Sequence, residues 1–222
     1  MKREIITTDD GSKTIYLPDW NEQYHSTHGA IQEAYHVFIG KGLAYFLEKE
    51  QPKPLEILEI GLGTGLNAYI TLLESEKLNQ SINYTGVEAY PVQSTEIELL
   101  NYSEQLKGSA EYFKKIHENE WEKPFGITNL FSMIKRKQYF SEIEDVASFH
   151  LIYFDAFGAR VQPELWTEVI FKKMYDALKV GGVLVTYSAK GSVRRAMQAV
   201  GFVVERLPGP PGKREMLRAI KA

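Results

Sequence analysis

Apolar residues recur along the chain at two spacings, one typical of helices and one typical of strands. From Gly29 to Glu50, "GAIQEAYHVFIGKGLAYFLEKE" repeats them at three- and four-residue intervals, which predicts a helix. Pro52 and Pro54 end that helix. Before it, "KTIYLPDW" predicts a short strand that Pro18 terminates.

After Pro54, strand-like and helix-like segments alternate. The predicted strands are "LEILEIG", "INYTGVEAY", "FGITNLF", "FHLIYFDAF" and "GVLVTYS". The helices predicted to follow them are "GLNAYITLLESEK", "PVQSTEIELLNYSEQL", "MIKRKQYFSEI", "PELWTEVIFKKMYDALK" and "SVRRAMQAV". Such an alternation requires parallel pairing with right-handed crossovers. It therefore predicts an α/β fold, an open, doubly wound sheet with helices on both faces.

The end of the chain departs from this alternation. "FVVERL" and "EMLRAIKA" flank the turn "PGPPGK", which predicts a hairpin and hence an antiparallel strand in a parallel sheet. A dinucleotide-binding domain usually continues with another parallel unit, whereas this ending resembles the class I methyltransferase fold. We expect one domain over residues 1–222, with an N-terminal extension in 1–54 and a core of seven mostly parallel strands in 55–222.

Composition narrows the possible chemistry. The 222 residues include no cysteine, which excludes disulfides, thiolate metal sites and cysteine nucleophiles. The start, "MKREIITTDDGSK", lacks the apolar core of a signal peptide, and no apolar run approaches the roughly 18 residues of a membrane span. We therefore expect a cytoplasmic protein without a membrane partner.

A glycine-rich turn joins the first core strand to its helix. In "EILEIGLGTGLNAYI", Leu66 and Asn67 follow the last glycine, where a P-loop would have lysine and a hydroxyl residue. The spacing Gly61-x-Gly63-x-Gly65 also differs by one residue from the dinucleotide motif. It resembles the E/D-x-G-x-G-x-G signature of S-adenosylmethionine binding, although the turn alone does not decide the ligand.

Two acidic residues end predicted strands of the alternating region, the second and the fourth. Glu88 follows Gly61 by 27 residues and is placed to accept ribose hydroxyls, unless it is only a solvated strand-end acid. Asp155 ends the strand in "LIYFDAFG". Helix capping explains Asp155 poorly, because the next helix is predicted only near Pro163. Ligands of open α/β sheets bind at such strand ends, so both carboxylates are candidate site residues.

Six segments together resemble one family. They are "YHSTHGAIQEAYHVFI", "GLGTGLNA", "VEAYP", "FDAFGARVQPELW", "YSAKGSVRRAMQAVGF" and "GPPGKREML". In this order they resemble the methyltransferase domain of the bifunctional tRNA 5-methylaminomethyl-2-thiouridine biosynthesis protein, over nearly the whole chain. The resemblance implies methylation, by S-adenosyl-L-methionine, of an aminomethyl group on the wobble uridine of tRNA. The family's flavin-dependent oxidase domain has no counterpart here, so a separate oxidase is expected to supply the aminomethyl intermediate.

The resemblance also implies which residues form the site. Asp155 is the expected catalytic residue, orienting the amine, and Phe157 is expected to contact the substrate. Glu33 is equally well explained as a solvent-facing helix residue. The N-terminal segment is expected to act as a lid, and the residues implied to line the cofactor pocket are Tyr24, Ser26, Glu33, Gly61, Gly63, Gly65, Leu66, Asn67, Glu88, Ser132 and Asp155.

The chain departs from the family pattern at two positions. Ser132, in "ITNLFSM", stands where many methyltransferases have an acid that holds the adenine amine. The family's D-x-F-x-P appears as Asp155-Ala-Phe157-Gly-Ala, without the proline. The pair His25 and His28 has no acidic or cysteine partner in register, so no metal site is expected.

Charge is unevenly distributed. The net charge is −3, but residues from Ala189 onward carry +6 and residues 1–188 carry −9. A basic tail on an acidic protein is typical of a phosphate-facing surface, although a solvated helix and hairpin would look the same. The residues predicted to contact tRNA phosphates are Lys190, Arg194, Arg195, Lys213 and Arg214.

Two other functions remain open from sequence. An aminopropyltransferase of the spermidine synthase type shares the fold and an acid after the fourth strand, but "FDAFGAR" lacks the further acids expected of that family. A non-catalytic RNA-binding module is the other alternative. The glycine turn, Glu88 and Asp155 together argue against it.

Overall fold

A small antiparallel sheet begins the chain. The computed structural model describes residues 2–222. Strands β1 (Glu4–Thr7), β2 (Lys13–Leu17) and β3 (Glu22–Gln23) form a three-stranded sheet in the order β1-β2-β3. The predicted strand "KTIYLPDW" corresponds to β2, which is followed by a 3₁₀ turn at Pro18–Trp20. The strands on either side of it were not predicted, because β1 has only two apolar residues and β3 has none.

One continuous helical segment follows and covers the main sheet. It comprises α1 (Ala30–Ala34), π-helical turns over Tyr35–Ala44, and α2 (Tyr45–Leu47). Val37, Phe38 and Leu43 are buried in the same apolar cluster as Ile57 and Tyr153 of the sheet. The N-terminal extension therefore shares its core with the rest of the chain.

The main sheet has eight strands. They are β4 (Leu55–Ile60), β5 (Ile82–Val87), β6 (Phe125–Gly126), β7 (Phe131–Arg136), β8 (Phe149–Phe154), β9 (Leu178–Thr186), β10 (Phe202–Pro208) and β11 (Glu215–Lys221). Their order is β10-β11-β9-β8-β4-β5-β7-β6. Strands β7, β5, β4, β8 and β9 are parallel, and β11 pairs antiparallel with both β9 and β10, which confirms the predicted terminal hairpin. The eighth strand is the two-residue β6, which pairs antiparallel with β7.

The helices differ from the prediction in two places, after β5 and in the segment "MIKRKQYFSEI", which contains most of β7. After β5 the single predicted helix is replaced by the short helices α4 (Ser94–Ile97) and α5 (Tyr102–Gln105). The unpredicted helix α6 (Ala110–Glu118) buries Phe113 and Ile116. The remaining helices are α3 (Leu66–Leu78), α7 (Glu168–Ala177) and α8 (Gly191–Ala199).

The third core strand lies later in the sequence than predicted. "FGITNLF" contributes the two-residue β6 and a tight turn, while β7 begins at Phe131, inside the segment predicted as the helix "MIKRKQYFSEI". In β7 the buried positions are Phe131, Met133 and Lys135. Lys135 is only 1% exposed, and its ammonium donates to the carbonyl of His117 at 2.7 Å. A buried lysine hides the alternation that would have identified the strand.

The topology creates a crevice beside β4. The chain places β5 on one side of β4 and β8 on the other, so the turns after β4 and β8 diverge at the carboxyl edge. Ligands of open α/β sheets bind at this kind of switch point. None of the helices between residues 2 and 222 combines the length and apolar character needed to cross a bilayer.

Candidate active site

A cleft of about 1260 Å³ opens at the carboxyl ends of β4, β5, β8 and β9. Its floor includes the glycine turn, Glu88 and Asp155, and its cover comes from residues 20–28 and from Gly212 and Lys213 of the β10–β11 turn. This volume exceeds that of a typical small-molecule pocket. The cleft therefore has room for a nucleoside cofactor together with a second reactant.

The glycine turn runs close to neighbouring backbone and side chains. Gly61 has φ +87°, and a Cβ on it would lie 2.7 Å from the carbonyl oxygen of Asp155. Gly63 has φ +49°, and its Cβ would lie 3.1 Å from the Tyr24 ring. Only glycine fits such positions without displacing a neighbour. The turn is thus enclosed by the Asp155 loop on one side and by the N-terminal segment on the other.

Glu88 lies at the carboxyl end of β5 and faces the glycine turn. Its carboxylate accepts hydrogen bonds from the backbone N–H of Gly63 (3.1 Å) and of Tyr90 (2.9 Å). Glu88 lines the cleft and is only partly buried, so its carboxylate remains accessible there. Glu88 therefore lies beside the glycine turn, at the carboxyl end of its strand.

Asn67 connects two carboxyl groups beneath the cleft. Its side-chain amide donates to Glu59 Oε1 at 2.9 Å and to Asp155 Oδ2 at 2.8 Å. Glu59 is fully buried, and burial raises its pKa well above the usual range. The amide therefore joins one buried carboxyl, whose protonated form burial favours, to a second carboxyl that lines the cleft. Leu66, next to Asn67, is 1% exposed and contributes apolar lining.

Asp155 has an altered acidity in this environment. Burial raises its pKa to about 7, and the nearby charge of Glu33 adds to the rise, while the Asn67 hydrogen bond and Lys213 oppose it. A carboxyl with this pKa is half ionised at neutral pH. It can exchange a proton in the pH range where an ordinary aspartate stays ionised.

Aromatic side chains line the cleft beside the glycine turn. The rings of Tyr24 and Trp20 meet Phe157 edge-on, with centroids 4.9 and 5.7 Å away. Arg160 holds this arrangement, because its guanidinium donates to the carbonyls of Trp20 and Asn21 and pairs with Glu22 at 3.0 Å. Arg160 had no sequence signal, since its partners lie about 140 residues earlier.

Ser26 and Glu33 take part in the cover of the cleft. Glu33 is buried, and its carboxylate accepts from the backbone N–H of Ser26 at 3.0 Å. The Ser26 hydroxyl accepts from the backbone N–H of His28 at 3.2 Å. Glu33 also forms an ion pair with Lys213, so it is not a solvent-facing helix residue.

His25 links the small sheet to the glycine turn. Its ring nitrogens lie 2.8 Å from Thr14 Oγ1 and 3.4 Å from Thr64 Oγ1. Burial lowers the His25 pKa to about 4, so the ring is neutral at physiological pH. Within residues 2–222 no group of three or more histidine or acidic side chains is arranged to hold a metal ion.

Ser132 does not reach the cleft. It is the second residue of β7, at the amino end of that strand, and its hydroxyl donates to Asn83 Oδ1 at 2.6 Å. The prediction that Ser132 follows the third strand is wrong, because the strand extends to Arg136. The segment after β7 instead brings Tyr139 and Ser141 to the cleft.

The five predicted phosphate-binding residues divide between two locations. Lys190 and Lys213 line the cleft. Arg194 and Arg195 lie on α8, and Arg214 is exposed in the hairpin turn. Glu205 of β10 pairs with Arg218 at 2.7 Å. Among residues 2–222, Arg194, Arg195 and Arg214 form no ion pair within 4.0 Å.

Comparison with known families assigns the fold and the cofactor. A family described as S-adenosyl-L-methionine-dependent methyltransferase matches residues 110–222, which is half of the chain. The chain belongs to this family. The match includes Asp155 and the terminal hairpin, while the glycine turn and Glu88 precede it.

Curated relatives extend the similarity to almost the whole methyltransferase chain. The tRNA 5-methylaminomethyl-2-thiouridine biosynthesis bifunctional protein MnmC of Cupriavidus metallidurans is 28% identical and covers 96% of this chain. The protein of the same name from Nitrosospira multiformis is 28% identical over 92% of it. The predicted resemblance is confirmed. The chain spans about a third of the length of these relatives, 33% and 35%.

Solved structures agree with the methyltransferase fold. MNMC2 from Aquifex aeolicus has a TM-score of 0.77 at 25% identity, covering 99% of this chain and 70% of that one. The spermidine synthase of Thermotoga maritima has a TM-score of 0.56 at 15% identity, covering 99% of this chain and 72% of that one. The second likeness concerns the fold alone, and the prediction of a class I methyltransferase fold is confirmed.

The residues of the cleft fit the cofactor of the family, S-adenosyl-L-methionine. Gly61 and Gly63 leave open the space that a Cβ would fill, and Glu88 offers a carboxylate of the kind that accepts ribose hydroxyls. One signal was overlooked in the sequence. Glu59 is itself the acid of the E-x-G-x-G-x-G signature, and the structure places it beneath Asn67 and Asp155.

Proposed function

We propose that this methyltransferase N-methylates an aminomethyl group on a modified wobble uridine of tRNA, giving 5-methylaminomethyluridine or its 2-thio form. The observation that carries the proposal is Asp155, which lies beside the glycine turn with a pKa of about 7. The similarity to the MnmC proteins, whose name states a tRNA modification, supports the substrate class.

Residues for holding the cofactor come from both sides of the cleft. We assign this role to Gly61, Gly63, Gly65, Leu66, Asn67 and Glu88 on the floor and to Tyr24, Ser26 and Glu33 in the cover. Bound S-adenosyl-L-methionine supplies an electrophilic methyl group. The chain's own residues must then provide an amine with a free lone pair and exclude competing water.

The protonation of the amine sets the main demand on the protein. An alkylammonium has a pKa near ~10, so only about one molecule in a thousand is neutral at pH 7. Transferring its proton to an ordinary aspartate, with a pKa near ~4, would cost about 8 kcal/mol. With the Asp155 pKa at about 7, the cost falls to about 4 kcal/mol. Asp155 therefore acts as a proton acceptor as well as an orienting group.

Aromatic side chains around the entrance suit a nucleobase. Phe157, Tyr24 and Trp20 form a connected edge-on group beside Asp155. A base turned out of the anticodon loop can stack on such side chains, and single-stranded loops are the usual targets of sequence-specific RNA recognition. We assign Phe157 to this contact.

Phosphate contacts are assigned to the basic residues around the cleft. Arg194, Arg195 and Arg214 lie outside it without ion-pair partners among residues 2–222, and exposed Lys190 lines its rim. Such contacts position RNA without reading its sequence. Lys213 fits this role less well because it is paired with Glu33.

Two further assignments accompany this function. Residues 20–28 and the β10–β11 turn cover the cleft, which supports a role of the 1–54 extension as a lid within a single domain of 222 residues. The curated relatives are named bifunctional, and this chain matches about a third of their length. We infer that a flavin-dependent oxidase supplies the aminomethyl intermediate.

The test is transfer of a labelled methyl group from S-adenosyl-L-methionine to tRNA. Acceptor tRNA is isolated from a strain blocked at the aminomethyl stage, and fully modified tRNA serves as the control. Label in the wobble nucleoside of the blocked tRNA alone supports the proposal. Turnover of decarboxylated S-adenosylmethionine with a free diamine, without labelling of tRNA, would favour the aminopropyltransferase instead.

A further inference from the structure

An ion pair in the cover of the cleft acts electrostatically on Asp155. Glu33 of α1 and Lys213 of the β10–β11 turn are 180 residues apart in sequence and form a short hydrogen-bonded pair. The side chain of Glu33 is 10% exposed and that of Lys213 is 31% exposed. Because both charges are largely withdrawn from water, they act on neighbouring groups more strongly than surface charges do.

Lys213 is held by more than its partner carboxylate. Its ammonium lies 3.9 Å from the centroid of the Tyr187 ring, and the Tyr187 hydroxyl donates to the carbonyl of Ala156 at 2.8 Å. Ala156 directly follows Asp155 in the chain. The position of Lys213 is therefore fixed relative to the Asp155 loop.

Asp155 is influenced by both members of the pair. The groups that face it are Glu33 from α1, Asn67 from α3, Glu59 from β4 through that amide, Tyr187 after β9, and Lys213 from the hairpin turn. Tyr187 stays neutral at physiological pH, because burial raises its pKa further above its usual value, and burial likewise raises the pKa of Glu59. The ion pair therefore places one negative charge, on Glu33, and one positive charge, on Lys213, near Asp155.

We propose that Glu33 and Lys213 are positioning residues that act on Asp155 as a balanced charge pair. Neither residue forms a hydrogen bond with the reacting amine. Glu33 strengthens the binding of a proton by Asp155, and Lys213 weakens it. The inference rests on the proposed role of Asp155 as proton acceptor. It gives Lys213 a function inside the cleft in place of a phosphate contact.

The signs follow from electrostatics. With Lys213 removed, the negative charge of Glu33 is no longer balanced and disfavours ionised Asp155, so the Asp155 pKa rises. With Glu33 removed, the positive charge of Lys213 favours ionised Asp155, so the Asp155 pKa falls. Removing both charges takes away the two opposing effects on the Asp155 pKa together. If the ion pair only joined α1 to the β10–β11 turn, the two single substitutions would not shift the Asp155 pKa in opposite directions.

The test is a carboxyl NMR titration of Asp155 in the full chain without substrate. The sequence has only six aspartates, and the Asp155 signal is assigned by its loss in Asp155→Asn. Variants are Lys213→Met, Glu33→Gln and the double variant. Gln keeps an oxygen for the Ser26 N–H, and Met keeps an apolar stem against Tyr187.

We expect the titration midpoint to rise by about one pH unit in Lys213→Met and to fall by about one unit in Glu33→Gln. The double variant should titrate between the two single variants, because it lacks both opposing charges. Lys213→Arg, which keeps the charge, should stay close to wild type, and it serves as the charge test if Lys213→Met does not fold. In Lys213→Arg, a midpoint displaced by a full unit would overturn the proposal, as would single-variant shifts that are absent or share one direction.

A matched pair elsewhere controls for general charge effects. Lys172 and Asp176 form an exposed i,i+4 ion pair on α7, outside the cleft lining. Lys172→Met and Asp176→Asn should leave the Asp155 midpoint unchanged, and a shift equal to that of the cleft variants would contradict the proposal.

The same variants separate this inference from the proposed function. The acid limb of methyl transfer to tRNA should move with the NMR midpoint in each variant. Opposite shifts of the NMR midpoint without any tRNA methylation would support the role of the charge pair and contradict the proposed tRNA substrate. Methylation of tRNA with no shift of the Asp155 midpoint in the variants would support the proposed substrate and contradict the role of the charge pair.

Discussion

The floor of the cleft and the outer surface of α8 differ in how their charged groups are held. On the floor, Glu88 accepts two backbone N–H groups, and Asp155 accepts from the Asn67 amide. On α8, Arg194 and Arg195 form no ion pair within residues 2–222. Fixed groups of the first kind suit chemistry, because they need little reorganisation during reaction. Free cations of the second kind suit a polyanion.

This comparison predicts separable effects of substitution. Changes on the floor should alter turnover or cofactor affinity, and changes on α8 should alter only the interaction with tRNA. The distinction would fail if a substitution on α8 altered turnover or cofactor affinity, or if a substitution on the floor altered only the interaction with tRNA.

The largest effect is expected from Asp155→Asn. The amide keeps the shape of the side chain but cannot accept the proton of the ammonium, so turnover should fall by about 100-fold or more. Steady-state kinetics measure the loss, and calorimetry should show S-adenosylmethionine affinity within about threefold of wild type. Near-normal turnover would remove Asp155 from the mechanism.

A smaller but clear effect is expected from Gly61→Ala. The added Cβ would lie 2.7 Å from the Asp155 carbonyl oxygen, at a φ of +87°. Because the turn must shift, cofactor affinity should fall by about tenfold or more by calorimetry. Gly126→Ala is the matched control, since its Cβ would meet nothing closer than 3.9 Å. Equal affinities in both variants would count against the assigned cradle.

The smallest effect is expected on α8. Replacing both Arg194 and Arg195 with alanine should raise KM for tRNA and reduce the log–log salt slope by about 0.7–0.9 for each phosphate that is no longer bound. Turnover at saturating tRNA and cofactor affinity should not change. The adjacent pair Lys114 and Lys115 on α6 provides the control, because both are engaged with glutamates there. If the two double variants have the same salt slope, the α8 surface is only solvated charge.

The sequence located the floor of the cleft better than its cover. Glu88 and Asp155 could be placed because strand ends follow directly from the alternation of apolar segments, and parallel strands bring those ends together. Ser132 was misplaced because buried Lys135 disguised β7 as part of a helix. The pairing of Glu33 with Lys213 depends on tertiary packing across 180 residues, which no local pattern records.

The acidity of Asp155 was also beyond the sequence. The motif identified a carboxyl group at a strand end, whereas its pKa depends on burial and on Glu33 and Lys213. Residues in the cover of the cleft therefore influence the pKa of Asp155 on its floor. This dependence is the reason to test the account through protonation.

The most direct measurement is the pH dependence of methyl transfer in a single turnover, with saturating cofactor and tRNA. In the wild-type protein the rate should fall about tenfold per pH unit below the Asp155 pKa of about 7 and level off above it. In Asp155→Asn the plateau should disappear, and the rate should rise with pH toward the amine's own pKa near ~10. The same plateau with the same midpoint in both proteins would contradict proton acceptance by Asp155.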